Sequence, residues 1–312
     1  MEAKLISFGI AVVSAIQARI PEYLEYGPDV FARVSAAADT TVLDLAMEID
    51  ARAQLNQWFK AELPEVPKLI LGEERFKRLP ARGESLDLYD VSSIASIPGI
   101  SRDEAQQIHD RGVVVLLDVV DGTKLIMREL SNWGSAVAFY ECLGEVLVAM
   151  VGDAFGRIYY ATRGERGVRV VTSSGERGIN GPSSVGSLRQ ASLCFYGQSP
   201  SAFKSFVEMP GFANLLDALQ PDGRIYNFGG NPMLVKVADG QVDAVVELRG
   251  QRAHDAVPGL FIAIQAGATV RQPDGRVLDF SGALRYPARK SLRYIVTSTS
   301  PLFEAIRPHV HG

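Results

Sequence analysis

Asp118 and Asp121 close a run of apolar residues that continues into Gly122 and Thr123. The run, Val113-Val-Val-Leu-Leu-Asp-Val-Val-Asp-Gly-Thr123, reads as a buried strand. Two carboxylates at the mouth of such a strand are costly unless a cation compensates them. Hard divalent ions such as Mg²⁺ prefer those oxygens. Gly122 permits a sharp turn and a close approach to an anion, and Thr123 adds a hydroxyl. Together these residues can hold a phosphate through a metal. The stretch is also compatible with a strand closed by an Asx turn and a helix cap. Three further acidic segments lie at element boundaries: Asp44 with Asp39, Glu48 and Asp50, then Glu73-Glu74, then Asp255. Singly, each is an ordinary solvated carboxylate or cap.

The elements that must position these groups follow from periodicity and breakers. Residues 4–20 read as a helix ended by Pro21, and a second helical run begins near Pro28 and continues to about Ala37. Asp39-Thr-Thr is a helix start, and residues 42–62 carry apolar positions at helical period up to Pro64. Lys68 to Leu71 is a short strand that leads into Gly72-Glu-Glu74. Residues 75–112 are mixed, with a helix at Arg102–Asp110. After Thr123, strand candidates fall at 134–140, 145–152, 156–162 and 167–172, and the Ser- and Gly-rich stretch 173–187 reads as a linker. The second half alternates strand and helix. Strands are expected at 191–196, near 225, at 242–248 and at 291–297, and helices at 200–219, 232–238, 255–267 and 301–307. This predicts an α/β chain, with an α+β metal-binding half over 1–185 and an α/β substrate-specificity half over 186–312.

Composition narrows the function. The 312 residues are 47% hydrophobic and 22% charged, which supports a substantial core and argues against disorder. The net charge of −4 leaves no basic stripe for a nucleic-acid partner. An acidic chain that handles phosphate must supply positive charge locally, and a metal does so. Two cysteines, Cys142 and Cys194, offer neither a disulfide framework nor zinc spacing, so a reducing cytoplasm is expected. No histidine pair has the HExxH spacing of a zinc site. Phe8 to Ile16 is apolar, but no cleavage site follows, and Arg19, Glu22 and Glu25 come at once. An amphipathic first helix is expected, and no apolar stretch is long enough to span a bilayer.

In their order along the chain, these segments resemble the inositol monophosphatase superfamily of Mg²⁺-dependent phosphomonoesterases. That superfamily shares VTxxD, GEE, DPxDGT and WDxAAG segments. Thr41-Val-Leu-Asp44 with Glu48 is similar to the first, Gly72-Glu73-Glu74 to the second and Asp118-Val-Val-Asp121-Gly-Thr123 to the third. His254-Asp255 through Gly267-Ala268 resembles the fourth. Phe228-Gly-Gly-Asn231 and the stretch from Val237 to Glu247 look like the GSAA segment and its continuation. The likeness runs from about residue 33 to 285. Val119 stands for the usual Pro, His254 for Trp, Gln265 for an acidic residue and Ala268 for Gly. The long segment between Glu74 and Asp118 is more like the branch acting on inositol polyphosphates or nucleotide phosphates.

The resemblance implies a layered αβαβα sugar-phosphatase-like sandwich and hydrolysis of a small phosphorylated polyol or sugar by metal-activated water. Glu73, Asp118, Asp121, Asp255 and the Val120 carbonyl would hold two or three Mg²⁺ ions. Asp44 would accept a proton through Thr123, with Asp50 as its competitor, and the Gly122 and Thr123 amides would cradle phosphate. Asn231, Glu247 and His254, with Arg249 and Arg252, are candidates to touch substrate. The partner is a small phosphate ester, with neither nucleic acid nor membrane, and relatives suggest a homodimer. A sugar bisphosphatase, a nucleotide 3′-phosphatase and a catalytically degenerate metal-binding regulatory protein are the alternatives.

Overall fold

The apolar run at 113–121 becomes the second strand of a seven-stranded sheet, and its burial explains its composition. In this computed structural model, which describes residues 1–26, 28–34, 40–78, 85–197 and 199–310, the chain begins with helix α1 (Glu2–Glu25), α2 (Val42–Glu62), strand β1 (Lys68–Gly72) and α3 (Glu73–Arg78). Then come α4 (Val91–Ala95), α5 (Arg102–Arg111), β2 (Val113–Asp121) and α6 (Thr123–Ile126). A meander follows of β3 (Gly134–Glu141), β4 (Val146–Asp153), β5 (Ile158–Thr162), β6 (Arg169–Thr172) and β7 (Gly175–Gly178). The second half holds β8 (Ser192–Phe195), α7 (Pro200–Val207), α8 (Phe212–Leu219), β9 (Arg224–Tyr226), α9 (Asn231–Ala238) and β10 (Ala244–Gln251). It ends with α10 (Ala253–Gln265), β11 (Thr269–Arg271), α11 (Ser281–Arg285), β12 (Leu292–Thr297) and α12 (Ser300–Val310).

Strands β1 to β7 lie in chain order in the first sheet, with β1 and β2 parallel and the rest antiparallel. The second sheet runs β11-β12-β10-β8-β9, and its three strands β10, β8 and β9 are parallel. Helices α1 and α2 cover one face of the first sheet, and α9 and α10 fill the space between the two sheets. Helices α8 and α12 lie against the far face of the second sheet. The layering is the expected αβαβα sandwich.

Along β2, Val113, Val115 and Leu117 face α1 and α2, whereas Val114 and Leu116 face α9 and α10. A strand covered on both faces needs no polar alternation. The pairing with β3 then shifts register between Asp118 and Asp121. Val119 and Val120 both join the α1–α2 core. Such a bulge re-aims side chains, and here it frees Asp118 and Asp121 to meet groups from the middle helical layer.

The structure corrects several sequence expectations. Pro21 lies inside α1 rather than ending it, because the last turn gives up one backbone bond while Ile20 stays buried. By length and composition α1 is apolar enough to cross a membrane, contrary to the expectation from its sequence. In this fold Leu5, Phe8, Val12, Val13, Ile16 and Ile20 are instead buried in the core that α1 shares with the first sheet. The supposed linker contains β7, which pairs antiparallel with β6 at the sheet edge. The expected helix over 200–219 divides at Met209-Pro210-Gly211 into α7 and α8, since Pro210 cannot donate to the preceding turn. From Pro28 only a 3₁₀ turn to Phe31 forms; residues 35–39, including Ala37 and Asp39, lie outside the described residues. The cap of α2 is Thr41.

Candidate active site

Asp44 is the third residue of α2, and its carboxylate closes a capping box. Its Oδ2 accepts the Thr41 amide at 2.9 Å and the Thr41 hydroxyl at 2.7 Å. Its other oxygen, Oδ1, accepts the Thr123 hydroxyl at 2.7 Å from the start of α6. The Thr123 hydroxyl also lies 3.2 Å from the Val120 carbonyl. Burial pushes the Asp44 carboxyl up from its ordinary value, its hydrogen bonds from Thr123 and Thr41 oppose that, and Glu73 adds to it. The competing Asp50 is committed elsewhere, to an ion pair with Arg19 on α1.

One turn further along α2, Glu48 is buried and accepts the amides of Glu74 at 2.7 Å and Arg75 at 3.2 Å. It thereby fixes the first turn of α3, which carries Glu73. This explains Gly72: a Cβ there would fall 2.2 Å from the Glu48 carboxyl carbon. Glu74 is buried behind this turn and accepts the Thr40 hydroxyl.

Asp255 enters from the first turn of α10. It accepts the Arg252 amide at 3.2 Å, and the His254 ring lies 3.3 Å from it. Ligand atoms of Glu73, His254 and Asp255 all fall within 4.8 Å of one another. Asp121 accepts the Asn231 amide at 2.7 Å from the start of α9. The Asn231 side chain is itself buried and braces α10, donating to the His254 carbonyl and accepting the Gly259 amide, each at 2.9 Å. Gly122 caps α6 with φ of 99°, a left-handed conformation that glycine adopts freely.

The electrostatics of these groups follow from the space they share. Asp118 is pushed well above its ordinary value, first by complete burial and then by Asp121, Glu73, Asp255 and Asp44. Asp121 is raised to about 8, again first by burial and then by Asp255. Like charges packed in this way are unfavourable unless protonated or bound to a cation. Asp118 Oδ1 is buried with no hydrogen-bond partner. Carboxylate oxygens, one of them orphaned, fit a hard divalent cation, and the His254 ring borders them.

Glu247 directly follows the residues of β10 that pair with β8, and burial raises its carboxyl. Its Oε1 accepts the Arg249 and Gly250 amides at 2.5 and 2.9 Å, while Oε2 is buried without a partner. His254 is fully buried. Arg249 is exposed, and Arg252 donates to the Ala288 carbonyl at 3.2 Å. Thus Glu73, Asp118, Asp121 and Asp255 meet, Asp44 and Thr123 adjoin them, and Glu247 borders the group. The side chains of Asn231 and Arg252 are engaged in bracing the walls.

Tyr196 was not singled out from the sequence. It follows β8, and its ring packs so closely on Gly229 that a Cβ there would lie 2.0 Å from Cδ2. Burial raises its phenol strongly, and Asp121, Asp255, Glu247 and Asp118 add to the shift. The available signal was positional: a polar-tipped aromatic at the C-terminal end of a parallel strand, where α/β sheets present ligand-binding groups.

Fold and site together define a phosphatase, a phosphoric monoester hydrolase. Residues 37–311 match the inositol monophosphatase family, and the chain belongs to that family. No curated protein sequence matches it. Among solved structures, it is similar to a hypothetical protein from Pyrococcus horikoshii, PH1897, described as having similarities to inositol-1 monophosphatase. That likeness has a TM-score of 0.70 and 17% identity, over 100% of both chains. It is similar to Mycobacterium tuberculosis SuhB, with a TM-score of 0.63 and 18% identity over 99% of this chain and 96% of that one. It also resembles a staphylococcal inositol monophosphatase II solved with inositol monophosphate bound. There the TM-score is 0.65 and identity 17%, over 97% of this chain and 93% of that one.

Proposed function

We propose that the protein is a Mg²⁺-dependent phosphomonoesterase acting on a small phosphorylated polyol or sugar, as a cytoplasmic homodimer. The observation that carries this reading is the Thr123–Asp44 hydrogen bond beside the gathered carboxylates of Glu73, Asp118, Asp121 and Asp255. Those four residues and the Val120 carbonyl would hold two or three Mg²⁺ ions. When bound, the metal would neutralise phosphate charge and lower the pKa of a coordinated water.

The remaining chemistry belongs to the chain. Thr123 donates its hydroxyl proton to Asp44, so its lone pairs are directed toward an attacking water. As the water oxygen bonds to phosphorus and the ester bond breaks, its proton passes through Thr123 to Asp44. The raised basicity of Asp44 suits it to that task. The leaving alkoxide regains a proton on release. The amides of Gly122 and Thr123 at the start of α6 cradle phosphate oxygens. Glu247, with an unpartnered oxygen, faces the alcohol end of the substrate beside Tyr196. The inositol monophosphate bound to the staphylococcal relative supports this substrate class. Both cysteines are free thiols and buried, in keeping with a reducing compartment.

The test is phosphate release from a panel of polyol, sugar and nucleotide phosphates with and without Mg²⁺. Turnover of polyol phosphates that disappears on chelation is expected. Mg²⁺ binding without turnover of any ester would refute the proposal, as would wild-type activity in Asp121→Asn.

A further inference from the structure

At the β1 edge of the first sheet, between α2 and α5, is a separate cavity of about 400 Å³. Three cations from three elements line it: Arg52 on α2, Lys68 at the start of β1 and Arg75 on α3. Glu48 offsets part of this charge. Among the described residues, the one carboxylate within 4.0 Å of any of them is Glu48, at 4.0 Å from Arg52. Glu48 already holds two amides of α3. Arg75 donates to backbone carbonyls of Ile70 and Pro98 at 2.9 and 3.5 Å. Arg52 Nε is buried with no partner, and the Lys68 ammonium lies 5.5 Å from the centre of the Phe59 ring.

Gathering three cations about one cavity is unfavourable unless an anion joins them. Burial also holds Lys68 below its ordinary value. The acidic groups of the cavity lining are exposed, and Glu104 is occupied in capping α5 through Ser101. The volume is many times the ~30 Å³ share of one water. Guanidinium groups match tetrahedral oxyanions by bidentate hydrogen bonding.

We propose that this cavity is a second anion site, which binds one phosphate group through Arg52, Lys68 and Arg75. The group arrives either as free inorganic phosphate or on a small phosphorylated metabolite. Helix α3 carries both Arg75 and Glu73, so an anion here would touch the same helix as the cluster assigned to catalysis.

The proposal is tested by calorimetric titration of the metal-free protein with inorganic phosphate, and separately with glycerol phosphate. Without metal, the candidate active site lacks the cations that would hold phosphate there, so its occupancy is suppressed. No turnover is measured, so the result is independent of whether the protein hydrolyses any ester. One phosphate per chain is expected to bind. Affinity should fall by about tenfold or more in Lys68→Met and in Arg52→Gln, given the strength of charge-assisted hydrogen bonds. Thr123→Ala, in the candidate active site, should bind as wild type does. Unchanged unfolding midpoints would show that the two cavity variants fold. Binding of both probes supports recognition of the phosphate group in either form, and binding of inorganic phosphate alone identifies the free ion. Absence of binding, or equal affinity in wild type and both cavity variants, overturns the proposal.

Discussion

Removing divalent metal should make the stability of this protein depend steeply on pH, in the sense opposite to ordinary acid denaturation. Asp121 has a carboxyl raised from 3.8 to about 8 by burial and by Asp255. The native state therefore holds a proton that the unfolded chain releases above its ordinary carboxyl range. The stabilisation this supplies is complete below the unfolded value and is lost as pH rises through about 8. Between pH 6 and pH 8 the loss is about 2 kcal/mol for one such proton, at roughly 1.36 kcal/mol for each tenfold fall in proton activity. Asp118 is displaced in the same direction by the same neighbours. The two titrate as a cluster, and the proton belongs to the group rather than to one side chain. For a chain of this size, 2 kcal/mol corresponds to roughly 3 °C in the thermal midpoint.

The assay is thermal unfolding at pH 6 and pH 8, with chelator and with saturating Mg²⁺. Metal-free protein should melt lower at pH 8. Mg²⁺ should raise the midpoint more at pH 8 than at pH 6, because at the lower pH it must first displace the proton. At about 100 times its dissociation constant it adds about 2.7 kcal/mol. Asp121→Asn should flatten the metal-free slope, and that comparison cancels the contributions of histidines and other carboxyls. Equal midpoints at both pH values in the metal-free wild type would refute the reasoning. So would a Mg²⁺ effect larger at pH 6.

Three substitutions probe the remaining parts. Asp44→Asn should lower kcat by about 10²–10⁴ with Mg²⁺ affinity retained, measured by steady-state kinetics and calorimetry; loss of metal binding would move Asp44 into the ligand set. Gly72→Ala places a Cβ against the Glu48 carboxyl, and should destabilise by about 1–3 kcal/mol in denaturant titration, with reduced Mg²⁺ affinity as α3 shifts. Tyr196→Phe should leave Mg²⁺ affinity unchanged yet alter the ratio of kcat/KM between polyol phosphates by about tenfold, the scale of a lost hydrogen bond to substrate. An unchanged substrate ranking would confine Tyr196 to packing.

What the sequence revealed of the site was the part carried by local order along the chain. Asp118, Asp121, Gly122 and Thr123 are adjacent, and a strand followed by a turn brings them together without help from elsewhere. The choice of Asp44 over Asp50 was also legible in principle. Leu43, Asp44, Met47, Glu48, Ala51, Leu55 and Phe59 form the buried face of α2. Six positions on from Asp44, Asp50 points to another side, where Arg19 meets it. The bracing by Glu48 was less accessible, because it depends on α3 meeting α2 across twenty-six positions of chain. Tyr196 and the Arg52–Lys68–Arg75 cavity were hidden for a stronger reason. No period or motif links these residues, and their proximity exists only after β1, α2 and α3 dock, or after β8 and β10 pair. The errors in the elements divide along the same line. Pro210 marked the break between α7 and α8 locally, whereas β7, all four residues of it exposed, owes its existence to pairing with β6. Local chemistry therefore located the carboxylates, and tertiary packing decided which residues brace them and which cations line the separate cavity.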